Sequence, residues 1–313
     1  MEQLLIVSQG DGPEHGIIQC EWRDDRAYPI NQWHQTGIAG LSRGAGEIVH
    51  ALRWTAEDQP DEVVSLRVDP DGFVELGRAP SGGGTPCAAA LPEGARDVLA
   101  VANYSGASVG LVELTDAAAT RLRGTWPLDA VHPHMVLPTV HGNVVPDLGA
   151  DVLHLVGADG RVERIAVPAG VGPRHAVPID RDRVAVSGEL GAALAVVDLA
   201  ARRVESVTPS TATEEGAYVG DLVLVGDLVL VANRGHATLG VIRLGERPEL
   251  VGELEVPGRW PQHLKLIGDR VLVACRDSDV VLALDVTDPG RPTVLPEPAY
   301  RLPSPVWLHL LAA

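Results

Sequence analysis

Residues 227–244 read DLVLVANRGHATLGVIRL: an aliphatic run, a polar turn from Asn233 to His236, and a second aliphatic run. Two short apolar runs joined by a turn are the signature of a β-hairpin. Four more segments share the shape: DVLAVANYSGASVGLVEL (97–114), GNVVPDLGADVLHLV (142–156), RVAVSGELGAALAVVDL (183–199) and RVLVACRDSDVVLALDV (270–286). Their first turn residues, Asn103, Asp147, Gly188, Asn233 and Cys275, lie 44, 41, 45 and 42 residues apart. That is the period of a four-stranded propeller blade. Two weaker copies precede them, LLIVSQGDGPEHGIIQCEW (4–22) and IVHALRWTAEDQPDEVVSLRV (48–68). The expected fold is therefore all-β: a seven-bladed β-propeller with four antiparallel strands per blade.

The two ends of the chain complement each other. The N-terminus begins on a second strand with no inner strand before it, while PSPVWLHLLAA (303–313) offers one apolar strand with nothing after it. We expect that strand to complete the first blade and shut the ring, which removes an open sheet edge. Pro and Gly recur at turns throughout, so the whole of 1–313 reads as one domain. DPDG (69–72) and GADG (157–160) read as hairpin turns,. Few windows keep helical spacing of apolar residues, which argues against helices.

The formal net charge of −17 disfavours a polyanionic partner, so neither nucleic acid nor an anionic membrane is expected to bind,. No run of about 18 or more apolar residues occurs, and MEQLLIVSQG lacks the basic and apolar regions of a signal peptide,. The expectation is a soluble cytoplasmic protein, a monomer or weak homo-oligomer. Cys20, Cys87 and Cys275 are odd in number and far apart, so they indicate neither a disulfide framework nor a zinc site,. Lys265 is the only lysine, so an anion-binding cation here is expected to be arginine.

Up-and-down connectivity puts the loop leading into each inner strand and the turn after each second strand on the same face. The lead-ins read GGGTPCAA (82–89), AVHPHMVL (130–137), GVGPRHAV (170–177) and GRWPQHLK (258–265), and the turns hold Asn103, Asp147, Glu189, Arg234 and Arg276. His132, His134, His175 and His263 should then share one layer at a mouth of the central channel. A concave, pre-formed mouth lined by imidazole, carboxylate and guanidinium is what a small-ligand site needs. Asn103, Asp147 and Asn233 also suit turn capping, and His175 and His263 suit contacts between blades. His134, Arg174, Glu189 and Arg234 break the repeat and are the stronger functional candidates. His15, His34, His50, His141, His154 and His309 fit no constellation.

At these residues the sequence resembles the bacterial lactonase family of seven-bladed propellers, which includes 6-phosphogluconolactonases and the carboxy-muconate lactonising enzyme of fungi. The resemblance is carried by VANYSGASV, HPHMV followed by VPDLGAD, GPRHAV followed by GEL, ANRGHATL, and PQHLKL followed by CRDSDVV, from about residue 80 onward. It implies a site at one channel end, with His134, Arg174, Glu189 and Arg234 catalytic. Asp221 stands where many members carry Glu. His132, Asp147, His175, Asp221, His236, His263 and Arg276 complete the expected substrate-binding set. The sequence departs from the family at Ala88, where a His is common, and at Gln262, where an Arg is common. Both changes bear on a phosphosugar preference.

The expected chemistry is metal-free and cofactor-free hydrolysis of a small sugar-acid-like or anionic lactone. His134 or Glu189 would be the general base, and Arg174 and Arg234 would hold an anionic group or the oxyanion. Were a metal present, His132 and His134 would be its first suspects. GASVG (106–110) has the letters of GxSxG but lies in the turn between two apolar runs, not at the strand-to-helix turn of a serine-hydrolase elbow, so no such elbow is expected,. Ring closure or isomerisation of a small carboxylate at the same residues is the alternative enzyme, and a propeller that only binds a ligand or partner is the third reading.

Overall fold

In a computed structural model, which describes residues 2–311, seven antiparallel sheets follow one another around a central axis. Blade 2 runs through Ile38–Arg43, Ile48–Arg53, Glu62–Asp69 and Gly72–Pro80, from the innermost strand outward. Blades 3, 4, 5 and 6 repeat this order, with inner strands Pro86–Ala90, Leu137–Thr139, Pro173–Pro178 and Val219–Val225. Blade 7 begins at Pro261–Ile267, and its outer position is shared by Thr293–Val294 and Tyr300–Arg301. In blade 1 the inner strand is Pro305–Leu310, paired antiparallel with Glu2–Ser8. The ring is shut as the sequence predicts. Helix is confined, among the described residues, to one 3₁₀ turn at Arg276–Ser278.

The repeat follows from burial. A second strand is covered on both faces by the neighbouring blades, so Leu228–Asn233 is buried at every position and reads as a continuous apolar run,. An outer strand meets solvent, and Glu249–Glu255 carries a polar or exposed residue at most positions. The core divides accordingly into seven apolar clusters, one at each interface between consecutive blades. The marker residues Asn103, Asp147, Gly188, Asn233 and Cys275 are each the last residue of a second strand.

Two of the markers are inter-strand ties. Asn103 Nδ2 donates to Ser81 O and to Ser108 Oγ, and Asn233 Nδ2 donates to Ser210 O and to Thr238 Oγ1. The loop carrying the serine lies so close to the third strand that a Cβ at Gly110 or Gly240 would stand 1.9 or 2.0 Å from the serine carbonyl. Glycine is required there by that close approach.

One irregularity recurs in all seven inner strands and places the site. Each gains one residue over its partner: between Ile38 and Gly40, Pro86 and Ala88, Pro173 and Ala176, Val219 and Leu222, Pro261 and His263, and Pro305 and Trp307. In blade 4 the same slip separates the Pro133–Asp147 bridge from the Leu137–Val144 pair. A bulge leaves one residue unpaired and re-aims its side chain. Proline opens five of the seven, where no ladder N–H is needed. A left-handed residue precedes the inner strand in six blades: Gly37, Thr85, Gly172, Tyr218, Trp260 and Ser304.

Candidate functional site

The bulges aim Cys87, His134, Arg174, His175 and Gln262 into a cavity of about 230 Å³ at one end of the channel. The turns after the second strands add Glu189, Arg234 and Arg276, and His263 joins from blade 7. Residues from blades 3 to 7 thus converge at one channel end, and blades 1 and 2 contribute Gln9, Trp54 and Trp307.

At the centre, Glu189 stands between two guanidiniums. Its Oε2 is 2.9 Å from Arg174 Nε and its Oε1 is 2.8 Å from Arg234 Nη2. Arg234 is held further by donation from Nε to Tyr218 O at 2.8 Å, and its guanidinium lies over the Trp260 ring at 5.1 Å. Burial, with Arg174 close by, lowers the Arg234 pKa to about 10. It remains a cation at neutral pH.

Behind Arg174 runs a polar relay. Arg174 Nη1 is 3.2 Å from His175 Nε2, and His175 Nδ1 is 2.8 Å from Asp221 Oδ1. Arginine only donates, so Nε2 of His175 accepts and Nδ1 carries the proton given to Asp221. Asp221 Oδ2 accepts the Leu264 N–H at 2.9 Å and faces His263 Nε2 at 3.6 Å. Burial alone would raise the Asp221 pKa, but His263, His175 and the Leu264 amide hold it below the ordinary carboxylate range. Burial and the Arg174 charge lower the His175 pKa. Burial pushes His263 down to about 3.

His134 differs from both. Its Nδ1 is buried without a partner, and its ring packs edge-on against His175 and Tyr104. Burial, then the Arg174 charge, puts its pKa well below 6.5. It is a neutral imidazole whose tautomer no protein group fixes. Cys87 also lines the cavity, but burial pushes its thiol up to about 12, so it is no thiolate nucleophile at neutral pH,.

Four of the sequence-predicted site residues stand outside the cavity lining. Asp147 is fully buried, and its oxygens accept the N–H groups of Val131 and His132 and face His154 Nε2 at 3.1 Å. That carboxylate shapes the lead-in carrying His134 and has no face toward the cavity. His132 stacks on Tyr104 at 4.3 Å. His236 lies 2.9 Å from Glu215 O through Nε2. Asp221 stands one layer behind, between His175 and His263. Among the described residues no three His, Cys, Asp or Glu side chains converge as a metal site.

Sequence reasoning passed over Tyr104, Trp54 and Trp307. Tyr104 follows a marker asparagine, as Arg234 does, and that register was the available signal. Trp307 comes from the closing strand and packs on His263 at 4.2 Å. No local pattern announces it.

A family model and solved structures agree with this architecture. The model of the family described as "Lactonase, 7-bladed beta-propeller" matches residues 45–310. Among solved structures, a periplasmic gluconolactonase of Pseudomonas aeruginosa superposes with a TM-score of 0.85 at 19% identity, covering 99% of both chains. Candidate 6-phosphogluconolactonases of Bacteroides uniformis and Bacteroides fragilis give 0.88 at 19% and 0.86 at 20% identity, covering 99% of this chain and 99% and 98% of theirs. At such identities the likeness shows the fold alone. Two curated relatives, 4-hydroxy-tetrahydrodipicolinate synthases from two strains of Acidithiobacillus ferrooxidans, are each 38% identical over 130 residues. That match spans 41% of this chain and 40% of each synthase.

Proposed function

The chain belongs to the family of seven-bladed β-propeller lactonases, and from that premise we propose that its channel-end cavity hydrolyses a small sugar-acid-like lactone. The observation that carries the reading is Glu189 bridging Arg174 and Arg234 beside the uncommitted imidazole of His134. Fixed guanidiniums with a neutral base at one wall are what attack of water on a ring ester requires.

His134 is the better base of the two candidates. Both Glu189 oxygens already lie against guanidinium nitrogens, whereas no hydrogen bond commits the His134 ring. His134 takes a proton from water as the oxygen bonds to the carbonyl carbon, and the guanidinium pair stabilises the oxyanion. The intermediate collapses by breaking the bond to the ring oxygen, which leaves with the proton returned by His134. A depressed pKa makes the imidazolium a strong acid and so favours that return,. The product is the open hydroxy acid, with no redox change.

Charge narrows the substrate. Arg174 and Arg234 share Glu189, Arg276 pairs with Asp277, and Asp221 lies behind the imidazoles. Three guanidiniums face three carboxylates, and the lowered histidines add no charge. A phosphate dianion meets no uncompensated cation there, so we read a neutral or singly charged lactone as preferred. A pH-stat assay of neutral, carboxylated and phosphorylated aldonolactones tests the function. Turnover of the neutral member above its spontaneous rate is expected, and no turnover across the whole panel would sink the reading.

A further inference from the structure

The channel has a second polar layer that the hydrolytic site does not use. Lys265 stands two residues beyond His263 on the inner strand of blade 7, and His309 stands two residues beyond Trp307 on that of blade 1. With His263 and Trp307 in contact, both lie about 7 Å further along the axis, at two residues of strand rise. Arg43 ends the inner strand of blade 2. The channel wall therefore carries three basic side chains on three consecutive inner strands.

Register turns them toward one another, because cross-strand partners share a face. Lys265 pairs with Leu272, which belongs to the apolar cluster between blades 7 and 1. His309 pairs with Leu5 and Arg43 with Val49, and both partners belong to the cluster between blades 1 and 2. Lys265 thus faces blade 1 from one side and Arg43 faces it from the other, with His309 between them. Mutual influence registers in proton affinity: burial, then Lys265 and Arg43, push His309 down to about 4.

No carboxylate pairs with them at close range, and the charge of Asp221 reaches Lys265 only from a distance. Among the described residues neither Lys265 nor Arg43 makes an ion pair of 4 Å or less or a side-chain hydrogen bond, in a chain with 42 acidic residues. Asp221, one layer up, is engaged by His175 and Leu264. His309 is only 9% exposed, and its Nε2 is buried without a partner. A buried polar atom without a partner costs free energy, as does a cation drawn partly out of water. Arg43 is exposed, so the group opens to solvent at the end opposite the hydrolytic cavity.

We infer that Arg43, Lys265 and His309 form a binding site for a small oxyanion at the far end of the channel, separate from the hydrolytic cavity. The ammonium and guanidinium supply charge, and the His309 ring supplies one N–H donor when Nε2 carries the proton. The inference stands whether or not the protein is a lactonase, since it uses none of that site's residues.

Inorganic phosphate is the probe, and thermal unfolding against chloride of matched ionic strength is the readout. Wild type is expected to gain about 2 °C or more at saturating phosphate. Arg174→Ala, which alters the other end, should keep that gain. Lys265→Met and Arg43→Gln should each lose most of it; Arg43 is exposed, so its replacement leaves the fold intact. No gain in wild type, a gain abolished by Arg174→Ala, or a gain untouched by Arg43→Gln would each overturn the inference.

Discussion

His175 donates its Nδ1–H to Asp221 across 2.8 Å, which leaves its Nε2 to accept from Arg174. Asp221 is thus a positioning residue for a guanidinium it never touches. In Asp221→Asn the amide can donate to Nδ1, the other tautomer forms, and Arg174 faces an N–H. We expect kcat to fall about 10- to 100-fold, or roughly 1.4–2.7 kcal/mol, with KM changing far less. A KM rise at unchanged kcat would refute the relay.

His134 is already neutral well above the pH at which it titrates, because burial and Arg174 hold its pKa below 6.5. Protonation abolishes a base, so the acid limb of kcat/KM belongs below pH 6.5, and the profile should stay flat from pH 8 down to about 6.5. His134→Ala should lower kcat by about 10²-fold or more. An acid limb that persists unchanged in His134→Ala would assign the base elsewhere.

Glu189 cancels one of the two positive charges it bridges. Glu189→Gln leaves Arg174 and Arg234 uncompensated, so the ratio of kcat/KM for a phosphorylated lactone to that for its neutral analogue should rise, about tenfold, even as both values drop. Competition assays with the two lactones give the ratio directly. A constant ratio would separate specificity from the charge of this cluster.

Burial pushes the pKa of His50 to about 4, of His309 to about 4 and of His263 to about 3. Unfolded histidines titrate near 6.5, so below that pH the unfolded chain binds protons that the folded chain does not. Stability is fully present above about pH 6.5 and is lost as pH falls toward about 4, by roughly 1.4 kcal/mol per pH unit for each histidine. Asp221, a depressed carboxylate, loses its contribution only below the unfolded value of about 3.9, outside this window,. Denaturant titrations at pH 7 and 5 should show the loss, and His50→Gln should reduce the slope by close to one proton.

Asn103 is fully buried and ties the loop at Ser81 to its own blade. Asn103→Ala should cost about 2 kcal/mol of stability while leaving kcat/KM within about twofold of wild type, because the loss is of buried hydrogen bonds away from the reacting groups. Urea unfolding and the lactone assay on one preparation separate the two effects.

The propeller was legible because blade stacking buries second strands on both faces and so writes a period of about 43 residues into the sequence,. Arg174, Glu189 and Arg234 were legible because they interrupt that period at matching positions. The bulges were not: an extra residue in an inner strand leaves the period unchanged, and its sole trace is the proline of TPC, HPH, GPR, WPQ and SPV. Asp147 and Asp221 looked alike as acids near one mouth. Their partners separate them, since backbone amides of its own blade occupy Asp147, while imidazoles from two other blades flank Asp221. Trp307 was out of reach because its neighbours in space are scattered along the chain, with Val7 paired to it and His175 and His263 packed on its ring.

That last strand has a consequence for biogenesis. Pairing His309 with Leu5 joins positions roughly 300 residues apart, so this contact waits until residue 309 has been synthesised. Six blades can stack before then, but the cavity still lacks the wall that Trp307 supplies. A nascent chain is therefore without its complete channel-end cavity until docking is done, and on the proposed function the first turnover marks the moment of closure. Folding with so many distant contacts is slow, and the proposed hydrolysis would serve as a clock for its final step.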